Sequence, residues 1–175
     1  MTESSSISIP PILNAVKDQY SLDWYGLHGV AHWARVYENG LRIANFHDVN
    51  QDVLLLFSVF HDSRRVNDEV DPGHGLRGAE LAARYRGLHF EFADNEFDLL
   101  YYACEKHTDG LTEGDLNVQV CWDADRLDLA RVWGLTPKPE KLCTAAAKDP
   151  EMIAWASDRA SNSYVPELLS EGWAQ

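Results

Sequence analysis

The amino-acid sequence predicts a single all-α domain, a bundle of about six to eight helices. Apolar residues recur at helical spacing along almost the whole chain. The segment of residues ~51–63, which contains VLLLFSVF, is apolar on nearly all sides, as expected of a helix at the centre of a bundle. Only Leu116–Trp122 alternates somewhat like a strand. A lone strand could not pair its edges, so we expect extended chain or the lead into a helix there.

The helices are predicted in chain order from this periodicity and from their start and stop signals. Pro150, for example, follows Asp149 and suits the first position of a helix. A polar, serine-rich start predicts a flexible segment at residues 1–10, followed by one domain at 11–165 and a tail at 166–175. The helices are expected at residues ~12–20, ~27–46, ~51–63, ~75–86, ~92–107, ~123–133, ~138–148 and ~150–161.

Composition and charge restrict the classes of function. The net charge of −13 argues against a broad basic surface for nucleic acid, because phosphate contacts need clustered lysine and arginine. A small anionic substrate is still compatible, since a metal ion and a few arginines can offset the overall repulsion. The three cysteines are odd in number and form no CxxC pair, which indicates reduced thiols and a cytoplasmic protein. The sequence shows no signal peptide and no apolar run long enough to cross a bilayer, so no membrane partner is expected.

Three polar motifs interrupt the apolar pattern. His61 and Asp62 end the most apolar helix, where an ionised carboxylate is costly to bury unless it is paired or binds a metal. Alternatively, this helix ends at the surface, where a histidine interacts well with the helix dipole. His28 and His32 are four residues apart, so both would lie on one face of the second helix and could reach one metal cluster. The alternative is one structural and one exposed histidine.

The third motif is DADRLD, at residues 123–128, with three carboxylates and one arginine. The acidic start of a solvated helix explains part of it. The interleaved apolar residues, which include Leu127 and Leu129, instead commit one face of this segment to the core.

Taken together, the motifs HWARV, FHDSRR and DADRLD resemble the HD-domain metal-dependent phosphohydrolase superfamily, over residues ~20–135. The resemblance favours Asp125 over Asp123, because Asp125 directly precedes Arg-Leu, and it favours His32 over His28, because Arg-Val follows three residues later. It implies a small, stand-alone HD domain with these metal ligands: His32, His61, Asp62 and Asp125.

Two imidazoles and two carboxylates form a mixed nitrogen and oxygen site, which suits Mn, Fe, Co, Ni, Zn or Mg rather than a structural zinc cluster. One ion is expected, and a second stays open. His74, in DPGHGLRGAELA, and His107, in EKHTDG, are similar to ligand positions in two-metal relatives, with His28 nearby. Alternatively, His74 and His107 bind the substrate phosphate or support the ligands. The GYP element of the cyclic-di-GMP hydrolases is missing.

The HDSRR sequence departs from many relatives, which carry an acid a few residues after His-Asp. Arg64 and Arg65 stand there instead, and either arginine could clamp a phosphate or pair with Asp68 or Glu69. His74, Lys106 and Arg77 are further candidates for binding the substrate. The residues expected to act in catalysis are Asp62, Arg65 and His107.

The resemblance implies hydrolysis of a phosphomonoester or phosphodiester, a nucleotide or a nucleotide-like small molecule, by attack of metal-bound hydroxide. Two alternatives stay open, an HD-type di-iron oxygenase and a non-catalytic module that binds nucleotide. The expected partner is a small phosphate ester. The sequence identifies neither the ester, the metal nor the oligomeric state.

Overall fold

The computed structural model describes residues 7–173 and confirms an all-α, single-domain bundle without strands in that part of the chain. Two 3-10 turns, Leu129–Arg131 and Pro139–Lys141, supplement the α-helices. The helices between residues 7 and 173 are α1 (Ile9–Gln19), α2 (Val30–Ala44), α3 (Gln51–Phe60), α4 (His74–Tyr85), α5 (Asp94–Lys106), α6 (Leu116–Arg126), α7 (Ala145–Lys148), α8 (Pro150–Ser161) and α9 (Leu168–Glu171). None of them is both long and apolar enough to cross a bilayer.

Helix α3 forms the centre of the bundle. Its N-terminus is capped by Asn50, whose side chain accepts hydrogen bonds from the backbone N–H groups of Asp52 and Val53. Every residue from Val53 to Phe60 is buried, and α3 packs against α2, α4, α5 and α6. The helix therefore carries the residues that follow it, His61 and Asp62, into the interior of the domain.

Two glycines bring α4 into backbone contact with its neighbours. A Cβ atom on Gly78 would lie 2.2 Å from the carbonyl oxygen of Phe60, and one on Gly75 would lie 2.4 Å from that of Cys104. Only glycine permits such an approach. The N-terminus of α4, with His74, is consequently held beside the ends of both α3 and α5.

The second helix starts later than predicted. Residues before Val30 form a turn in which the N–H of Val30 donates to the carbonyl of Trp24. A Cβ on Gly29 would lie 2.1 Å from that same carbonyl oxygen. His28 thus belongs to the turn rather than to α2, and the prediction that His28 and His32 share one helix face is wrong.

The segment Leu116–Trp122 is helical and not extended. Asp115 caps α6 by accepting the N–H of Asn117, and the buried face includes Val118, Cys121 and Trp122. Valine at these positions imitated a strand pattern, but packing against α2 and α5 decided the conformation. Neither expectation was right, because residues 116–122 form the body of α6 itself, and the helix expected at ~123–133 ends at Arg126.

The two chain ends also differ from the predicted boundaries. Helix α1 begins at Ile9, so the last two residues of the predicted flexible segment are helical. Residues 1–6 of that segment lie outside the described residues. The predicted tail contains α9, and Trp173 is buried against the bundle, since an apolar side chain gains by covering the core. The last two residues of the tail also fall outside the described part.

Candidate metal centre

Five of the seven histidines converge with two aspartates at one end of α3. They come from the turn before α2, from α2 itself, from the C-terminus of α3, and from α4, α5 and α6. His32 and His61 are fully buried, and Asp62 is 2% exposed. The histidines and aspartates concerned are His28, His32, His61, His74, His107, Asp62 and Asp125.

The Oδ2 atom of Asp62 faces one half of the cluster. The Nε2 atoms of His32 and His61 lie 3.1 Å apart, and they lie 3.6 and 3.8 Å from this oxygen. On the other side, Oδ1 of Asp125 lies 3.4 Å from Nε2 of His32 and 3.5 Å from Nε2 of His61. We call these four residues the Oδ2 half.

The Oδ1 atom of Asp62 faces the other half. Nε2 of His74 lies 3.1 Å from this oxygen and Nε2 of His107 lies 3.5 Å from it, while the two nitrogens are 3.0 Å apart. Asp62, His74 and His107 form the Oδ1 half. Asp62 therefore stands between two groups of imidazoles, with one carboxylate oxygen directed at each.

The opposite nitrogens of the four rings show which atoms carry protons. Nδ1 of His61 lies 3.0 Å from the carbonyl oxygen of Ser58, Nδ1 of His74 lies 2.7 Å from that of Asp71, and Nδ1 of His107 lies 2.7 Å from that of Cys104. Carbonyl oxygens only accept, so each Nδ1 must donate. In the neutral ring, Nε2 then carries a lone pair.

Nδ1 of His32 is oriented in the same way by the carboxylate of Asp128, at 2.7 Å. Lone pairs of two imidazoles thus face each other at about the distance of a hydrogen bond in both halves, with carboxylate oxygens around them. Such acceptors repel one another unless a cation or a shared proton lies among them, and in the Oδ1 half Nη1 of Arg65 already donates to Nε2 of His74 at 3.2 Å. The buried His and Asp groups could therefore hold a metal ion, and their donor set fits a divalent one.

His28 differs from the other histidines. Its Nδ1 lies 2.9 Å from Oδ2 of Asp62, and its Nε2 lies 3.3 Å from the carbonyl oxygen of Asp68. Both partners are acceptors, so His28 donates to Asp62 and directs no lone pair at the cluster. This arrangement makes it a support for the Asp62 carboxylate rather than a ligand.

Asp128 and Arg35 lie on the side of His32 that faces away from the cluster. Asp128 orients the ring of His32 and Arg35 holds Asp128, and the sequence pattern predicted neither role. Arg35 donates from Nε and Nη2 to the two carboxylate oxygens of Asp128, at 2.8 and 3.1 Å, and all three groups, with His32, are buried. The pairing is bidentate, which fixes the carboxylate against the imidazole. The role of Asp128 could have been predicted from the motif DADRLD, because Asp128 is its third aspartate and lies three residues after Asp125.

The electrostatics follow from burial and from these neighbours. Burial opposes ionisation of Asp62 and Asp125, but the surrounding imidazoles, His61 foremost for Asp62 and His32 for Asp125, hold the pKa of each carboxyl well below its usual value. Burial and the charge of Arg131 lower the pKa of His32, whereas burial of His61 is outweighed by the charges of Asp62 and Asp125, which raise the pKa of His61. Both aspartates are therefore anionic near neutral pH, and His32 is in the neutral form that binds metals.

The structure places the predicted substrate residues unequally. Arg65 is buried, its Nη1 lies 3.7 Å from Oδ1 of Asp62, and it donates to the backbone carbonyls of Glu69 and Asn67, not to the side chain of Asp68 or Glu69. Arg65 therefore borders the Oδ1 half.

The other predicted cations have partners elsewhere. Arg64 donates to the side chain of Gln19. Arg77 donates to Asp71 and to the carbonyl oxygens of Arg64 and Pro72. These hydrogen bonds stabilise the loop between α3 and α4. Lys106 lies within 3.7 Å of carboxylate oxygens of Glu105 and Asp109. None of these three contacts a cluster residue at hydrogen-bond distance in the described part of the chain.

Asp123, the ligand that the motif disfavoured, is buried on a different side of α6. Its carboxylate accepts hydrogen bonds from the N–H groups of Cys143 and Thr144 and from the Thr144 hydroxyl. This contact holds the start of α7 and does not face the histidines. The two aspartates of the motif thus divide into one that packs a loop and one that faces the cluster.

Comparisons with protein-family models, with curated proteins and with solved structures found no match to this chain. The interpretation of the cluster therefore rests on its geometry and its chemistry alone.

Proposed function

We propose that this protein is a metal-dependent phosphohydrolase of the HD-domain type, in which Asp62 and the imidazoles around it would hold two divalent ions for cleavage of a small phosphate ester. One observation carries the proposal. The two oxygens of the Asp62 carboxylate face two separate pairs of imidazole nitrogens, all with their lone pairs directed inward. A bridging carboxylate between two nitrogen-rich sites is an arrangement suited to two metals.

The residues divide as follows. His32, His61 and Asp125 would hold one ion with Oδ2 of Asp62, while His74 and His107 would hold the other with Oδ1. Divalent ions in such a centre lower the pKa of coordinated water and neutralise charge on a phosphoryl group. These are the two requirements for hydrolysis of a phosphate ester near neutral pH.

The protein's own groups set the charge of the site. The carboxylates of Asp62 and Asp125 bring two negative charges, whereas two divalent ions would bring four positive ones. Arg65 adds a buried cation 3.7 Å from Asp62, held by backbone carbonyls on its far side. A loaded site would therefore attract an anionic ester locally, in spite of the net charge of −13.

We propose that His28 takes part in proton transfer during the reaction. This ring bridges Asp62 and the carbonyl of Asp68 and is 7% exposed, so it can hold or pass a proton at the edge of the cluster. No carboxylate follows His-Asp at the position where many HD-domain proteins have one. In our proposal His28 is a proton donor at this edge and not a substitute base, because it directs no lone pair at the cluster.

The test is metal content followed by turnover. Protein loaded in turn with Mn, Co, Ni, Zn or Mg is assayed for phosphate release from aryl phosphates, nucleotides and sugar phosphates, beside an Asp62→Asn variant. We expect release that requires the metal and Asp62. If the loaded protein releases no phosphate across the panel, or releases as little as the variant does, the proposal is wrong.

A di-iron oxygenase remains a second candidate, because four imidazoles around a bridging carboxylate also suit iron. The discriminating measurement is oxygen consumption by the iron-loaded protein in the presence of phosphate and phosphonate compounds. Oxygen uptake without phosphate release from esters would favour this candidate. Tight binding of nucleotide with neither reaction would instead indicate a binding module.

A further inference from the structure

A cavity of about 480 Å³ opens beside the metal cluster, at Asp125. It lies between the end of α6, the 3-10 turn at Leu129–Arg131 and the loop at 134–142. The side chain of Asp125 is 18% exposed, in contrast to those of His32 and His61, which are fully buried. Asp125 is therefore a place where the cluster meets solvent, and among the described residues it is the cluster residue that lines this cavity.

The walls of this cavity are mostly basic, although the protein as a whole is acidic. The chain has 15 basic and 28 acidic residues, yet the cavity walls contain four basic residues and one acidic residue, Asp125. If Asp125 binds a metal ion, no free carboxylate is left in the walls. A local excess of positive charge in an acidic protein indicates an anionic ligand. The basic residues are Arg126, Arg131, Lys138 and Lys141.

The two arginines are held in place without carboxylate partners. Arg131 donates to the backbone carbonyls of Leu27 and Asp128, at 3.2 and 3.0 Å. Arg126 donates from Nη1 to the carbonyl of Lys141 at 2.9 Å. Its Nη2 atom is buried and has no hydrogen-bond partner among the described residues. A buried donor without a hydrogen bond is energetically costly, so an acceptor atom of a ligand would supply the hydrogen bond that Nη2 lacks.

The two lysines are exposed at the rim, and neither forms an ion pair with any residue between 7 and 173. They are three residues apart, at the two ends of the 3-10 turn at Pro139–Lys141. Glu140 lies between them in the sequence but is not part of the cavity wall, and lysines without an ion-pair partner keep their charge available to a ligand. The remaining wall is largely apolar and includes Leu129, Leu135 and Leu142, but no aromatic ring.

We infer that this cavity binds a second anionic group of the substrate, a phosphate or a carboxylate, while the phosphoryl group to be cleaved lies at the Asp62 cluster. The inference rests on the proposed function and restricts the proposed substrate to esters that carry a second anionic group. A nucleobase would be expected to stack on an aromatic side chain, and the walls offer none. The substrate class is therefore a short ester with two anionic ends and an apolar link.

The test compares three esters that share a three-carbon link and differ in the second anion: propyl phosphate, propane-1,3-diol bisphosphate and 3-(phosphonooxy)propanoate. Dissociation constants are measured by calorimetry on the metal-loaded protein, and phosphate release is measured in parallel. We expect one or both two-anion compounds to bind about tenfold more tightly than propyl phosphate. The tighter of the two identifies the second anion as phosphate or carboxylate.

The decisive variant is Lys138→Gln/Lys141→Gln. Both side chains are exposed, so folding should be unaffected, and thermal unfolding verifies this. The variant should weaken binding of the preferred two-anion compound about fivefold and leave propyl phosphate unchanged. The control is Lys17→Gln/Lys148→Gln, which removes the same charge from exposed positions outside this cavity and should change neither constant.

The outcomes separate the two proposals. Equal affinity for all three esters, or an equal effect of the test and control variants, overturns the inference even if every ester is hydrolysed. Tight binding that depends on the two lysines, without any phosphate release, supports the cavity and overturns the phosphohydrolase instead.

Discussion

The two halves of the histidine and aspartate cluster share Asp62, and each has two imidazoles with Nε2 directed inward, but the other groups around them differ. The Oδ2 half adds a second carboxylate, Asp125, and its His32 is backed by a buried carboxylate at 2.7 Å. The Oδ1 half has only His74 and His107 in addition to Asp62, and its ring nitrogens donate to uncharged backbone carbonyls. Moreover, Nη1 of Arg65 donates to Nε2 of His74 at 3.2 Å, so a guanidinium already occupies the lone pair that a metal ion would use.

The difference indicates unequal affinity for metal. Anionic ligands and anionic support behind an imidazole both strengthen a site for a divalent ion. We therefore expect the Oδ2 half to fill first and the Oδ1 half to fill at higher metal concentration. If two ions bind, we expect the ion in the Oδ1 half, near Arg65, to be the one that exchanges more readily.

The largest effect should come from Asp62→Asn, since this carboxylate belongs to both halves. The amide has almost the same shape but no charge, so both ions should be lost and activity should fall on the order of a thousandfold. Metal content per chain and phosphate release measure the two effects. Asp18→Asn, at an exposed position of α1, is the control. Two ions retained per chain in Asp62→Asn would contradict the bridging role.

A selective effect is expected when one histidine of each half is removed. In His61→Ala the tight ion should be lost, whereas His74→Ala should keep the tight ion and lose only the weak one. Calorimetric titration with Mn or Zn distinguishes the two patterns. Because His61 is fully buried, thermal unfolding of the metal-free variants is needed to show that both are folded. Loss of the same ion in both variants would remove the distinction between the halves.

A smaller effect is expected from Asp128→Asn. The amide can still accept from Nδ1 of His32 but has no charge to raise the basicity of the ring, so the tight ion should bind about 10–100-fold more weakly. The weak ion should be unaffected, because Asp128 is not near the Oδ1 half. Competition with a fluorescent metal chelator measures both constants. An equal decrease at both sites would indicate a general loss of packing.

The smallest effect should come from Asp71→Asn, which alters the loop before α4 and leaves the cluster intact. Asp71 accepts from Arg77 at 2.6 Å and from the N–H of Val66 at 2.8 Å, whereas His74 uses only its backbone carbonyl. We expect the free energy of unfolding to fall by about 1–2 kcal/mol, with metal affinity unchanged. Chemical denaturation measures the former.

The difference in free energy of unfolding between wild type and Asp71→Asn should depend on pH, because the pKa of Asp71 differs between the folded and unfolded chain. Burial tends to raise it, but hydrogen bonds from Arg77 and Val66 outweigh burial and lower it below its usual value. The stabilisation is thus present above the pKa of the unfolded chain, about 3.9, and is lost as the pH falls through the lower folded value. Wild type and Asp71→Asn should differ fully at pH 7 and converge in acid.

Much of the fold could be predicted because helical periodicity is a local property. The apolar run before His61 had to be central, and a carboxylate carried in by such a helix needed a partner or a metal. The errors were also local in origin. Valines in α6 imitated a strand, and the position of His28 depended on a turn set by a contact between Gly29 and Trp24.

Helical periodicity alone was enough to predict an all-α protein in which His32, His61 and Asp125 lie on helices with apolar faces. Which of the polar residues meet depends on how the helices pack. His74 reaches Asp62 because glycines on α4 allow backbone contact with α3 and α5, and the basic cavity exists because the loop at 134–142 returns to the end of α6. Spacing along a chain records which face of a helix is apolar, but it does not record which helix lies opposite.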